Sequence, residues 1–281
     1  MATTLKLYIL ATSLTSGLAL ALALLALGTD HWVDATIHFD SDTDSDSSVN
    51  YGLFKGYENI RFGRTGTYEI YMTCLYDKNV CGMLCDADEE HRKNVLENFY
   101  INPDYSYSER ENCVSIKNEL QVTNFWRFRS GVYKDRLFIN AGAQMSTLIF
   151  LVLSCVFGAM AAALAVWNTI YNPIHVWMSV TGLFVYNGLA CAFTIFYVTI
   201  WGIMYAVTLC RDIVTMDTLN KQATSEGRAL LGYSYWINLA SMLLYALSVG
   251  LLFTRQMLIS RDPAVKLEKD METRDADIYL F

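Results

Sequence analysis

Four histidines, seven cysteines and one dense run of aspartates are the residues through which this 281-residue chain could do chemistry. His31, His38, His91 and His175 are scattered, and none stands with Cys, Asp or Glu at zinc-site spacing on one expected element. Asp30-His31 and His38-Phe39-Asp40 come nearest. Asp40-Ser41-Asp42-Thr43-Asp44-Ser45-Asp46 sets four carboxylates at alternate positions, which resembles the opening of a calcium loop. Counted from Asp40, however, position six is Ser45 where an EF-hand needs glycine, and position twelve is Tyr51 where it needs glutamate. The run reads as a solvated acidic insertion between two strands. The sequence has no glycine-rich phosphate loop, nucleophile elbow or intramembrane carboxylate pair. The expectation is a non-enzyme with no cofactor and no metal site.

The elements that must position these residues follow from composition. Apolar residues make up 53% of the chain and charged residues 17%, against about a quarter charged in a soluble domain. The apolar residues cluster. Leu7–Leu27, Ser146–Trp167, Val176–Val207 and Tyr233–Phe253 lack Asp, Glu, Lys and Arg, and each exceeds the roughly 18 residues that mark a membrane-spanning helix. Four transmembrane helices are expected, at 7–27, 146–167, 176–207 and 233–254. The first reads as a retained span rather than a cleaved signal, because its apolar run is long and Trp32 and acidic residues follow directly. At about 48 Å the third should project beyond the bilayer and support whatever lies outside. Spans without charge argue against a pump, a transporter or a charge-lined channel built by this chain alone. A pI near 5.1 with a net charge of −7 argues against nucleic acid.

Cys74, Cys81, Cys85 and Cys113 share the long polar segment between the first two spans, and an even set there reads as two disulfides with three connectivities open. Disulfides persist outside the cytosol, so 28–145 is expected to be extracellular and both termini cytosolic. The loop at 168–175 and the tail at 255–281 are then cytosolic, and 208–232 is a second outer loop. Lys6, Arg255 and Arg261 agree with this, whereas Arg127, Arg129, Lys134 and Arg136 lie on the other side. Between Gly28 and Asn140 stand 19 acidic and 12 basic residues, so the net charge of the chain is that of its outer domain. Cys155 and Cys191 fall inside spans and read as small apolar side chains, while Cys210 has no evident partner.

The outer segment is too long to be a passive connector. Thr29–His38 alternates apolar and polar residues as a half-buried strand does, and Val49–Phe54 and Thr67–Tyr76 read as further strands. Asp77-Lys78-Asn79 is a hairpin turn between Cys74 and Cys81. Asp86 is placed to cap a helix running to Tyr100, with Val95, Leu96 and Phe99 on one face. The reading is a membrane α-helical protein: a four-transmembrane left-handed-type bundle with a small extracellular antiparallel β-sheet. Within the spans, Ser13, Gly17 and Ala21, then Ser154, Gly158 and Ala162, then Ala246 and Gly250, stand four apart. Such residues let helices approach closely, inside the bundle or against a partner. Asn187 and Asn238 should hydrogen-bond across the bundle. Trp32, Trp126, Trp167, Trp177, Tyr233 and Trp236 are expected interface anchors among membrane lipids. Tyr279-Leu280-Phe281 forms a hydrophobic-x-hydrophobic triplet that a PDZ scaffold can take as an added strand.

Trp32, then Gly52-Leu53-Phe54, then Cys74 and Cys85 with ten residues between, resembles the outer-loop signature of the superfamily of claudins, peripheral myelin proteins and channel γ-subunits. Phe54 stands where that signature has Trp. Ala26–Ile37 and Tyr51–Gly56 are most similar to the clarin branch, while Gly-Thr-Asp-His-Trp and Gly-Tyr-Ser-Tyr-Trp (Gly232–Trp236) are also similar to glutamate-receptor γ-subunits. The resemblance implies a claudin-like fold and a Cys74–Cys85 disulfide, and with it Cys81–Cys113. It implies a structural cluster of Trp32, Gly52, Leu53 and Phe54 where the sheet meets the membrane. It also implies a plasma-membrane protein of sensory or neuronal cells that organises an integral membrane partner, most specifically as an auxiliary subunit of a channel or receptor. Claudin-type adhesion and a channel in its own right are the alternatives. The chain lacks the Asn-x-Ser/Thr sequon that would carry the N-glycan common in clarins.

Overall fold

The structure is a computed structural model that describes residues 2–39, 46–61, 66–107, 110, 112–118, 136–170, 176–221 and 223–261. Asp40, Asp42, Asp44, Trp126, His175 and the triplet Tyr279-Leu280-Phe281 lie outside the described residues. In chain order the elements are α1 (Ala2–Gly28), β1 (Val33–Phe39), β2 (Ser47–Tyr51), β3 (Lys55–Ile60), β4 (Gly66–Leu75), β5 (Val80–Leu84) and α2 (Glu89–Ile101). There follow β6 (Ser115–Asn118), β7 (Ile139–Asn140), α3 (Ala141–Ile170), α4 (Val180–Met204), α5 (Met216–Leu219), β8 (Ala223–Thr224), β9 (Ala229–Leu231) and α6 (Tyr233–Arg261). Four helices are long and apolar enough to cross a membrane, over Lys6–Gly28, Ala141–Ile170, Val180–Leu209 and Tyr233–Arg261. With the antiparallel sheet they fit a helical membrane protein that carries a β-sheet.

Capping chemistry moves two of these helices away from the bounds set by charge. α3 starts at Ala141 because the side-chain oxygen of Asn140 accepts the amide of Ala143 at 2.8 Å, and that of Asn79 accepts the amide of Gly142 at 2.8 Å. α4 starts at Val180, after a 3₁₀ turn over Val176–Met178, where the Ser179 hydroxyl accepts the Thr181 amide. α4 ends in a π turn over Tyr205–Leu209.

The chain divides into two compact units. One comprises Met1–Leu22, Leu153–Phe193 and Ala240–Phe281, and the other Ala23–Val152 and Thr194–Leu239. The first is helical. Its apolar interior gathers Ile9, Ala161, Ala165, Leu183 and Leu252 in one cluster and Ala19, Ala190 and Tyr245 in another. Leu7, Leu10, Leu14 and Leu18 are exposed at helical spacing along α1, a face suited to lipid.

The second unit is built on the sheet, in the order β7-β5-β4-β3-β2-β1-β8, with β6 also pairing β4 and β9 also pairing β1. All pairs are antiparallel. Alternation dictates the buried face: Val33, Ala35, Ile37 and Phe39 of β1 point inward, as do Val49 and Tyr51 of β2. β4 pairs β3 along one edge, and on the other it pairs β6 through Gly66–Tyr68 and β5 through Tyr71–Leu75. β1 is treated in the same way, by β9 and β8. Short strands thus cover edges that would otherwise invite pairing with another chain.

α2 buries Arg92, Val95, Leu96 and Phe99. Its cap is Asp88, whose carboxylate accepts the amides of Glu90 and His91, and not Asp86 as expected. Asp86 accepts the Asp88 amide at 2.8 Å and holds His91, so it positions the cap from one step outside.

Candidate functional site

Trp32 is fully buried, and its indole N–H donates to the Ala26 carbonyl at 2.8 Å. That carbonyl belongs to the last turn of α1, where no intrahelical donor remains, so Trp32 closes the helix and starts the sheet at once. Its amide donates to Tyr51 O at 3.0 Å, and its ring meets Trp201 of α4 edge-on at 5.0 Å. Gly52 begins the turn from β2 to β3, its amide donating to Lys55 O at 2.8 Å. A Cβ on Gly52 would lie 2.4 Å from the Thr29 carbonyl oxygen, so only glycine fits. Leu53 is buried, and its carbonyl accepts the Gln144 amide N–H at 2.8 Å. Phe54 corrects the expectation: its side chain is 54% exposed, while its backbone serves the turn by accepting the Met72 amide. Trp32, Gly52 and Leu53 therefore gather, and Phe54 faces outward.

The disulfides also differ from the pairing the resemblance implies. Cys74 joins Cys81, and Cys85 joins Cys113. The register of the β4–β5 hairpin causes this: Leu75 faces Val80 across the turn at Tyr76–Asn79, which puts Cys74 opposite Cys81 with their Cα atoms 4.1 Å apart. Cys85 follows the end of β5, beside the isolated bridge from Asp86 to Cys113. Cys155, Cys191 and Cys210 are free thiols.

Three arginines bind this unit together, none signalled by composition or spacing. Arg92 donates to the Thr73 hydroxyl and the carbonyls of Asp86 and Ala87, over the Tyr71 ring. Arg136 donates to the carbonyls of Phe99, Asn102 and Leu219 at 2.8–2.9 Å and to that of Tyr105, tying the end of α2 to α5. Arg110 lies between Glu58 of β3, at 3.1 Å, and Asp217 of α5, over the Tyr68 ring. Glu58 is 1% exposed and stands in phase with the buried positions Gly56 and Ile60. Burial, and then the neighbouring Asp217 charge, push its carboxyl up to about 7 against the pull of Arg110.

The three described histidines sit one by one with carboxylates: His31 with Asp34, His38 with Asp46, and His91 with Asp86, each at 2.7–2.8 Å. Among the described residues no group of three metal-ligating side chains forms. Asp46, the described end of the aspartate run, also takes Arg228 at 3.1 Å, and its hydrogen bond from His38 holds its carboxyl below the usual range.

In the helical unit, the Ser16 hydroxyl donates to Asn187 Oδ1 at 2.6 Å and lies 3.2 Å from Ser248, joining α1, α4 and α6. Asn187 in turn donates to its own helix at Leu183 O. In the other unit, Tyr197 donates to Asn238 Oδ1 at 2.6 Å, from α4 to α6. The glycines separate into two kinds. A Cβ on Gly158 would lie 2.0 Å from the Tyr245 hydroxyl, so that glycine serves packing inside the chain. Among the described residues, a Cβ on Gly17 or Gly250 would meet nothing within 4 Å.

No family model matches the chain. Over 111 residues it is 28% identical to Clarin-3 of Homo sapiens, a stretch that is 39% of this chain and 49% of that protein, so the chain spans about half the length of the relative it matches. This similarity and the four candidate spans fit a clarin-like, multi-pass membrane protein.

Proposed function

We propose that the chain is a non-enzymatic tetraspan of the plasma membrane that associates with and organises other membrane proteins, most specifically as an auxiliary subunit of an ion channel or receptor complex in sensory or neuronal cells. The observation that carries this reading is the contrast between glycines. Gly158 is demanded by Tyr245, but among the described residues no neighbour demands Gly17 or Gly250. Small residues on an outward helix face let a second helix approach closely, where lipid offers no hydrophobic drive to do so. The two disulfides support an oxidising side for the sheet unit, and hence a cytosolic side for the helix ends at Ala2 and Arg261. The sheet, two of whose strands share Trp32 and the Gly52 turn, supports a fold of claudin type.

Purification in mild detergent, with mass spectrometry of stoichiometric companions and conductance measured on the protein alone, tests this reading. A channel or receptor subunit at fixed ratio, whose gating changes when the chain is removed, is the expected outcome. Self-polymers bridging opposed membranes would transfer the reading to adhesion, and conductance from the protein alone would make it a channel.

A further inference from the structure

We propose that Glu58, Arg110 and Asp217 form a proton-controlled latch, which holds the second outer segment against the sheet while Glu58 is protonated and releases it when that proton leaves. The three groups come from β3, from the segment after α2, and from α5. Their side chains are 1%, 10% and 6% exposed. Two carboxylates around one guanidinium leave one excess negative charge where water barely reaches, and a buried uncompensated charge is costly. Glu58 Oε1 has no hydrogen-bond partner among the described residues, which leaves that oxygen free to carry a proton. A metal ion fits poorly beside the guanidinium, so a proton is the compensating charge the site accepts.

The segment the latch would hold is under strain. Val214 has φ 56° and Lys221 has φ 58°, and a β-branched residue in the left-handed region is a genuine outlier. Val214 is fully buried and is held by the Met83 amide on its carbonyl and by Asp212 on its own amide. Strain of this kind persists only where surrounding contacts over-determine it, and the ionic triad is one such contact.

The charged groups acting on Glu58 are Arg110 and Asp217, and the titratable Tyr68 faces it across the β3–β4 pair. Glu109 and Glu111 flank Arg110 in the chain and lie outside the described residues. The carboxyl of Glu58 is raised from 4.5 to about 7. A raised acid stabilises the closed form fully below its ordinary value, and that contribution is lost as pH rises through the folded value. The latch is therefore tight in mild acid and loose above neutrality.

Hydrogen exchange on the full-length protein in detergent, corrected for the intrinsic effect of pH on exchange, tests the latch at the amides of Leu219 and Asn220. Their protection should fall about tenfold between pH 6 and pH 8. Glu58→Gln, a neutral side chain of the same shape, should abolish the fall. An equal fall in Glu58→Gln would move the response to another group, Glu109 and Glu111 included, and overturn the proposal. Asp217→Asn leaves Glu58 and Arg110 as a matched pair, so its window should drop below pH 6 and leave protection level from pH 6 to 8. A tenfold fall that persists in Asp217→Asn, or level protection in the unaltered protein, also overturns it.

Discussion

The sheet unit buries Arg92, Glu58, Asp86 and Asp217, whereas the helix unit buries Thr12, Ser16, Ser154, Asn187, Ser241 and Ser248. Arg92 is met by two carbonyls and a hydroxyl and Arg110 by two carboxylates, and two disulfides are added. In the helix unit neutral hydroxyls and amides meet one another or a backbone carbonyl, as Ser16 meets Asn187 and Ser248, and Ser241 meets the Ala19 carbonyl. The difference follows from what each environment charges for a polar group. An ion can be buried where irregular backbone converges on it, but on a spanning helix the backbone carbonyls are already spent and charge is dear. Strength in the sheet unit thus sits in a few residues, and in the helix unit it is spread over many weak contacts.

The disulfides should give the largest response. Loss of a native disulfide from a small domain costs about 2–5 kcal/mol. Cys85–Cys113 closes a separation of 28 residues and Cys74–Cys81 one of 7, so paired Ser substitutions at the first should cost ~1 kcal/mol more by loop entropy. Surface delivery and thermal unfolding should rank Cys85/Cys113→Ser worst, then Cys74/Cys81→Ser, with Cys155→Ser near the unaltered protein. The reverse rank of the two pairs would remove the loop argument.

Overpacking at the closed glycines comes next. Gly52→Val and Gly158→Leu each drive atoms into a backbone oxygen or a buried hydroxyl, at a cost of about 1–3 kcal/mol or more. Phe54→Trp should be neutral, since the ring it replaces is exposed. A Phe54→Trp variant as damaged as Gly52→Val, read by unfolding temperature, would return Phe54 to the buried cluster. The smallest effect belongs to the helix unit: Asn187→Ala should cost roughly 0.6 kcal/mol, as single interhelical hydrogen bonds in membranes do. A loss of several kcal/mol there would mean that the seam of hydroxyls acts as one network.

The spans were legible because absence of charge over twenty residues is a property of sequence alone. Trp32 and Gly52 were legible from a motif, although what Gly52 avoids, the Thr29 carbonyl, is not. The Cys74–Cys81 pair was within reach, because a turn at Asp77-Lys78-Asn79 already places 74 and 81 opposite each other across a hairpin. The motif's ten-residue spacing pointed elsewhere. β3 went unread because Lys55, Glu58 and Asn59 look like a polar loop, and the buried Glu58 makes sense only once Arg110, 52 residues away, lies beside it. Arg136 was counted as a flanking charge, since the four carbonyls it gathers depend on tertiary structure and carry no local signal.

The claim that outward small-residue faces hold a partner is tested most directly by the ratio of partner to chain after purification of Gly17→Leu/Gly250→Leu in mild detergent. The account predicts that this variant folds and reaches the surface like the unaltered protein but loses its stoichiometric partner, whereas Gly158→Leu lowers the amount of protein itself. Full retention of the partner in Gly17→Leu/Gly250→Leu, with its loss when Asp40, Asp42, Asp44 and Asp46 are changed to Asn, would contradict the account and make the acidic run the binding site.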